Sequence, residues 1–218
     1  MRSPKTHAAS TASDDQVRAL LERYRCPIPF HAVRTRFLGG IASPLPLDSP
    51  MRAVKALWGG ELPALDSLDD VNELLAALVM GLWNRLSRHQ ERSAAFRLTR
   101  QSFPESREGL AALARLRREE IEGFVDGLFG DADQLDLPER AHKALGVLAE
   151  LRALFEGAQV VAEDVNKPAS PRDIATTLGH FREMTRVAEH KTHEAVISCA
   201  RARRQPLQRR PVVRTSLH

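Results

Sequence analysis

A wide amphipathic pattern runs from residue 69 to residue 86. Its apolar positions recur at steps of three and four, which is the period of an α-helix. They are Val71, Leu74, Leu75, Leu78, Val79, Leu82, Trp83 and Leu86. Asp66 or Ser67 can cap the start of this helix. A face this wide needs cover from at least two other elements, so we expect this helix to be the centre of the core.

Six further segments have the apolar spacing of a helix. Three precede the 69–86 helix and three follow it: 13–25, 30–42, 50–58, 105–129, 138–155 and 170–204. Gly157 is expected to cap the end of the 138–155 helix, because glycine often ends helices. Residues 158–169 show no period and contain Pro168, so we interpret them as an exposed loop.

The absence of strand patterns predicts an all-α fold. Aromatic residues make up only 5% of the chain, and Leu and Ala dominate its apolar set. Connections of roughly 4 to 12 residues suit antiparallel neighbours in a helical bundle. We therefore predict a single-domain bundle of six or seven helices over residues 13–204. Residues 1–12 are expected to be a disordered N-terminus and residues 205–218 a disordered basic tail.

Two glycines interrupt the 105–129 helix four residues apart. Glycine in a helix interior costs about 1 kcal/mol relative to Ala, so a pair on one face requires an explanation. We predict that the backbone of a neighbouring helix occupies the flat notch that they leave. Gly123, Phe124, Gly127 and Leu128 are thus a candidate helix-packing motif. The 69–86 helix is the expected partner, because Gly81 lies near its centre.

The positive charge is concentrated at the C-terminus. The chain has a net charge of +4 at pH 7, and residues 201–218 contain six arginines and no acidic residue. The remaining 200 residues therefore have a net charge of −2. The candidate anion-binding residues are Arg201, Arg203, Arg204, Arg209, Arg210 and Arg214.

This tail is open to three interpretations. It can bind nucleic acid or another anionic surface through charge, with an affinity that falls steeply with salt. It can fold on docking to a protein partner. It can also be a solvated end without a ligand, since it contains no aromatic residue on which a base could stack.

Potential metal ligands occur in two places. Two pairs at four-residue spacing share a stretch of the last helix, and a Glu-x-x-His motif of the kind found in di-metal helical bundles opens the 138–155 helix. These residues are Glu189, His190, His193 and Glu194, with Glu139 and His142. A di-metal site needs two such motifs and two further glutamates, so we expect no bound metal or other cofactor. Whether His190 and His193 have a role stays open.

No catalytic motif is present in the sequence. It contains no glycine-rich phosphate loop, no Gly-x-Ser-x-Gly and no His-Glu-x-x-His. His31 is a single histidine on an apolar helix, and we interpret it as a core or capping residue. We therefore assign no catalytic residues and do not expect an enzyme.

Cysteine use and hydropathy indicate the compartment. Cys26 and Cys199 are the only cysteines, and their separation fits neither a metal motif nor a disulfide framework. No uncharged apolar stretch of 18 residues exists, and the N-terminus has no apolar signal region. We expect reduced thiols in a cytoplasmic protein that has no contact with a membrane.

Two stretches resemble the YecA/YgfB-like protein family. Residues 30–44 read Phe-His-Ala-Val-Arg-Thr-Arg-Phe-Leu-Gly-Gly-Ile-Ala-Ser-Pro, and Trp58 follows. This is similar to the histidine, the Phe-Leu-x-Gly turn and the proline near the start of that family. Residues 123–128 read Gly-Phe-Val-Asp-Gly-Leu, similar to its Gly-Phe-x-x-Gly-Leu on a later helix. The resemblance covers roughly residues 14–200 and implies an all-helical bacterial protein from a largely uncharacterised family.

The resemblance also carries expectations about function. Some family members have a C-terminal zinc module rich in cysteine, but this chain has the arginine tail in its place, so no zinc site follows. The family has no established catalytic residues, and one class of members regulates another protein by acting through it. We therefore expect a non-enzymatic interaction protein with a regulatory role, whose partner is another protein or a second copy. The first alternative is a nucleic-acid-associated protein that uses the tail, and the second is a metal-dependent enzyme.

Overall fold

The computed structural model describes residues 12–45, 49–167 and 169–208. Across these residues the chain forms seven helices and no strand, which confirms the all-α prediction. The fourth helix changes form along its length, from an α-helix through a π-helix and a further α-helical turn to a final 3₁₀ turn. The helices are α1 (Asp14–Arg23), α2 (Phe30–Ala42), α3 (Pro50–Ala56), α4 (Leu68–Leu75, Ala76–Trp83, Asn84–Ser87 and Arg88–Gln90), α5 (Arg107–Phe129), α6 (Glu139–Glu163) and α7 (Pro171–Gln208).

Helices α2, α5, α6 and α7 form the main bundle. α2 packs most extensively on α5, α5 on α6, and α6 on α7, and α7 returns to contact α2 and α5. α4 lies against α1, α2 and α3. An edge-to-face contact between Phe37 and Trp83, with ring centroids 5.4 Å apart, joins α2 to α4. None of the described helices is long and apolar enough to cross a membrane.

The prediction that the 69–86 helix is the centre of the core is wrong. Nine of the 13 residues of α2 are buried. In α4 only seven of the 20 residues between Leu68 and Ser87 are buried, and Leu68 and Met80 are 74% and 61% exposed. α2 is the central helix because its Ala and Gly residues allow neighbours to approach closely on several sides.

α6 is longer than the sequence indicates. It continues to Glu163, so Gly157 lies in an exposed helical turn and does not cap the helix end. The extension is stabilised by Arg107 at the start of α5, which donates to the carbonyl oxygens of Val161 (3.3 Å), Ala162 (3.2 Å) and Asp164. These terminal carbonyls have no partner inside the helix, and a cation is favoured beside them.

α7 also continues beyond its predicted end. Residues 205–208, which we expected to belong to the disordered tail, extend the helix to Gln208. One turn before the extension, Cys199 and Ala200 are both buried in the bundle. Of the segments predicted to be disordered, residues 1–11 and 209–218 lie outside the described residues.

Candidate interaction site

Three glycines allow the backbones of α2 and α5 to touch. A Cβ atom added to Gly123 would lie 2.6 Å from the carbonyl oxygen of Ala32, and one added to Gly127 would lie 2.7 Å from the carbonyl carbon of Arg36. On the opposite helix, a Cβ added to Gly39 would lie 2.6 Å from the amide nitrogen of Leu128. Ordinary Cβ contacts are never this short, so only glycine is accommodated at these positions. We call Gly39, Gly123 and Gly127 the glycine crossing.

The predicted packing motif therefore has a different partner from the one expected. Gly123 and Gly127 face α2. Gly81 of α4 lies beside Ala12, because a Cβ added to Gly81 would lie 3.1 Å from the Cβ of Ala12. Phe124 and Leu128 of the same motif are fully buried. α2 is the better partner because its own glycine faces the α5 backbone, and two flat surfaces allow a closer approach than one.

Two polar pairs accompany the glycine crossing. The Nε2 atom of His31 lies 2.7 Å from Oε2 of Glu119, one turn before Gly123. Within the crossing, Nη1 of Arg36 lies 3.6 Å from Oδ2 of Asp126, which directly precedes Gly127. His31 thus links α2 to α5 through its ring nitrogen and is not the core or capping residue that we expected.

Residues 95–104 connect α4 to α5 without helix or turn, and we call them the clamped segment. Two buried glutamates hold its central amides. Glu189 of α7 accepts a hydrogen bond from the amide of Leu98 (3.0 Å) and forms an ion pair with Arg97 (2.7 Å). Glu120 of α5 accepts from the amide of Thr99 (2.7 Å).

Two arginines hold the carbonyl groups of the same segment. Arg117, which is 6% exposed, pairs with Glu120 and donates to the carbonyl oxygen of Thr99 (2.9 Å). Arg34 of α2 donates to the carbonyl oxygen of Arg97 (3.4 Å). Side chains of α2, α5 and α7 thus satisfy backbone groups that a helix or a sheet would otherwise satisfy.

A cleft of about 690 Å³ lies between the clamped segment and the bundle. Its floor contains apolar side chains, and its charged lining is mainly cationic, with Glu105 and Glu189 as the acidic residues. We call it the arginine cleft after Arg97, Arg100, Arg117, Arg182 and Arg186. On the other side of the segment, Thr99, Arg100 and Gln101 contribute to a second pocket, of about 550 Å³, beside α1 and α2.

The candidate metal ligands of α7 do not converge. Glu189 points to the clamped segment, and Glu194 pairs with Arg140 (3.2 Å) and Lys191 (2.8 Å). Across residues 12–45, 49–167 and 169–208, no group of three His, Cys, Asp or Glu side chains is arranged to hold a metal ion. The four-residue spacing of Glu189 and His193 allowed convergence on a metal, but Glu189 instead holds the Leu98 amide and Arg97.

His193 has an unusual environment. Its Nδ1 atom is buried without a hydrogen-bond partner among the described residues. Burial lowers the pKa of His193, and the charges of His89, His190 and Arg97 lower it further, while a hydrogen bond to the Arg92 backbone opposes them. The neutral imidazole is therefore the favoured form.

The basic tail separates into different environments. Arg203 donates to the carbonyl oxygens of Ile41 (2.6 Å) and Ser43 (3.1 Å), so it satisfies the C-terminal end of α2. Its assignment to an anion-binding arm is therefore wrong, because the guanidinium is already used inside the fold. Arg201 is half-buried and Arg204 exposed on α7. Arg209, Arg210 and Arg214 lie outside the described residues.

Both cysteines are free thiols. Burial raises the pKa of the Cys199 thiol to about 11, and burial also raises the pKa of Cys26. Because the thiolate is the reactive form, neither side chain is activated as a nucleophile.

Sequence reasoning missed the clamped segment and its two glutamates. The available signal was an acidic residue at an inward position of an apolar stripe. Glu120 directly precedes the buried Ile121, and Glu189 directly follows the buried Ala188. A glutamate at such a position requires a buried partner, and the excess of arginine between residues 85 and 118 could have supplied it.

No family model, curated protein or solved structure matches this chain.

Proposed function

We propose that this chain is a non-enzymatic interaction protein of the YecA/YgfB-like type, which binds another protein and regulates it. One observation carries the proposal. The two stretches that resemble that family lie far apart in the sequence, but they meet at the glycine crossing, where Gly39 packs on α5 and Gly127 packs on α2. The two short motifs thus act as one structural unit, and this supports a common origin over two chance matches.

Exposed apolar side chains support a protein partner. Leu154 and Val161 of α6 are 59% and 49% exposed, and their seven-residue spacing puts them on one helix face. Apolar side chains grouped on a surface are typical of contacts with other proteins. The proposed compartment is the bacterial cytoplasm, which suits two unpaired cysteines among the described residues.

Reciprocal capture from the native cell tests this function. The tagged chain should recover one partner protein in near-stoichiometric amount, the tagged partner should recover this chain, and the purified pair should elute together on gel filtration. Addition of the chain should then change the activity or the assembly of the partner. Elution of the chain alone in every arm would overturn the proposal.

A nucleic-acid-associated role is the second candidate, and the exposed side of α7 favours it. Arg182, Arg186 and His190 are exposed at four-residue spacing, and Arg201 and Arg204 continue the basic row towards the C-terminus. From residue 182 to residue 204 this row spans about 33 Å at 1.5 Å per residue.

Binding of a labelled DNA duplex over a salt series tests the second candidate. A nucleic-acid role predicts co-purified nucleic acid, seen in the ratio of absorbance at 260 nm to that at 280 nm. It also predicts a steep fall of affinity with salt that becomes shallower in Arg201→Ala/Arg204→Ala. Absence of duplex binding at low salt would remove this candidate.

A further inference from the structure

We propose that the arginine cleft binds an acidic, amphipathic segment of a partner protein in extended form. This inference rests on the proposed interaction function and names the surface and the chemistry of the partner. Three properties of the cleft support it: two arginines that pair with no described residue, an apolar floor, and a stretch of backbone that makes no hydrogen bond within the described part of the chain.

The cationic side chains of the cleft differ in what they already bind. Arg97 pairs with Glu189, Arg117 with Glu120, and Arg186 with Glu183. Arg100 on the clamped segment and Arg182 on α7 have neither a hydrogen bond nor an ion pair in the described part of the chain, and both are exposed. They line the cleft from two different elements. A guanidinium binds a carboxylate with two parallel hydrogen bonds, so the cleft has two positions for acidic side chains.

The floor of the cleft favours apolar side chains between those acidic ones. Leu98 and Leu178 are 3% and 5% exposed, while Phe103 and Leu113 are only partly buried. A free phosphate or a polyanion without apolar groups would leave this floor in water. A segment in which Glu or Asp alternates with Leu or Phe would cover the floor and pair with the arginines at once.

The backbone of the clamped segment adds a third element of recognition. Glu189 and Glu120 hold the amides of Leu98 and Thr99, which fixes residues 97–99 against the bundle. By contrast, the N–H and C=O groups of residues 100–103 make no hydrogen bond to any other residue that the structure describes. An extended peptide can pair with such a free backbone edge, and the fixed neighbours reduce the entropy lost on binding.

The size of the cleft limits the ligand to a short segment. A volume of about 690 Å³ lies within the range of pockets that enclose a few side chains, roughly 300–1,000 Å³. The ligand is therefore a linear stretch of the partner, because a folded domain is too large to enter the cleft.

Fluorescence anisotropy with three labelled probes tests the inference on the full chain. The probes are a peptide that alternates Glu with Leu and Phe, an oligoglutamate of equal length, and a single-stranded oligonucleotide. We expect the alternating peptide to bind most tightly. Arg100→Glu and Arg182→Glu should each weaken this binding about tenfold or more, because each removes a charge-assisted hydrogen bond. Arg172→Glu, an exposed arginine of the same helix outside the cleft, should leave binding unchanged.

The fold and the proposed function are controlled separately. Arg100 and Arg182 are exposed and pair with no residue that the structure describes, so urea midpoints of the two variants should match the wild type. Equal binding of the alternating peptide by wild type and Arg100→Glu/Arg182→Glu would overturn the inference, as would tighter binding of the oligonucleotide through the same arginines. If that double variant still captures the native partner, the cleft is not the docking site but the interaction function stands. If the wild type captures no partner, the proposed function itself fails.

Discussion

The glycine crossing and the clamped segment both attach a neighbour to α5, but they do so in opposite ways. At the glycine crossing, two helix backbones touch because side chains are missing at Gly39 and Gly127. At the clamped segment, long charged side chains reach from the bundle to a backbone that has no regular structure. Glu120 and Arg117 are the most enclosed of these, at 0% and 6% exposed.

This difference predicts different sensitivities. The stability of the glycine crossing depends on side-chain volume, because any added carbon atom meets backbone of the facing helix that cannot rotate away. The clamped segment depends on charge balance, because removal of one member of a buried pair leaves the other desolvated without compensation. Variants at Glu120 and Gly127 test this comparison directly. Variants at Arg107 and His193 extend it to contacts outside the two regions, and they are ordered from the largest expected effect to the smallest.

Glu120→Gln should have the largest effect. The amide side chain keeps an oxygen for the Thr99 amide but loses the charge that compensates the buried Arg117. We expect a loss of about 3–5 kcal/mol in the free energy of unfolding, the usual result of breaking a buried ion pair. Urea denaturation measures it.

The matched control for that variant is Glu119→Gln on the same helix. Glu119 is 28% exposed at its side chain and accepts from His31, so its loss should cost less than about 1 kcal/mol. Equal losses of unfolding free energy for the two variants would show that the buried Arg117–Glu120 pair stabilises the fold no more than a partly exposed pair does.

Gly127→Leu should have the next largest effect. A Cβ at this position overlaps the backbone of Arg36, which lies in the middle of α2 and cannot move without shifting the helix. Overpacking of this kind costs about 1–3 kcal/mol, and the rigid backbone partner favours the upper end. The midpoint of urea unfolding should fall accordingly.

Gly157→Ala is the control for substitution of a helical glycine. No atom lies within 4 Å of a Cβ built there, so the change should stabilise the protein by about 0.5–1 kcal/mol through helix propensity. An unchanged or higher midpoint for Gly127→Leu would contradict the packing role of the glycine crossing.

Arg107→Ala should have a local effect on α6. Arg107 donates to carbonyl groups at the C-terminal end of α6, including those of Val161 and Ala162. We therefore expect the free energy of unfolding to fall by about 1–2 kcal/mol and α6 to fray after Gly157. Amide hydrogen exchange should show lost protection in residues 157–163 with normal protection in residues 141–151. Arg115→Ala removes only the exposed pair with Glu163 and should change neither pattern.

His193 should give the smallest effect, visible as a pH dependence. Burial lowers its pKa in the folded protein, so below the unfolded value of about 6.5 the unfolded chain takes up the proton first. Above that pH, His193 is neutral in both the folded and the unfolded chain, so it does not affect stability. The free energy of unfolding falls as the pH drops through the unfolded and then the folded pKa. His193→Leu should remove this component, giving a shallower fall of the unfolding midpoint between about pH 7.5 and about pH 5. Parallel curves would contradict the assignment.

Local signals account for the parts of the fold that could be predicted. The helical period located all seven helices, and serines at Ser13, Ser67 and Ser106 cap three of them by accepting from an amide three residues later. Helix ends were less predictable. The end of α6 depends on Arg107, which is far away in the sequence, so the local rule that glycine ends a helix did not apply at Gly157.

The candidate site depends on contacts that no local pattern contains. The spacing of Gly123 and Gly127 indicated a close neighbour, but the choice of α2 over α4 depended on whether a second flat surface was available in space. The arginine cleft depends on Arg100 and Arg182, which line the same cleft because Glu120 and Glu189 hold the clamped segment against the bundle.

The sequence by itself determined that the chain is helical, where most helices begin, and which face of α5 needs a close neighbour. These properties follow from interactions within a few turns: apolar period, capping and the missing side chains of glycine. Only the tertiary structure decided which helix occupies the centre, which arginines are already paired and which backbone stays open. The physical reason is that burial and ion pairing act between residues that are distant in the sequence, so the environment of Glu189 or Arg203 is decided by packing.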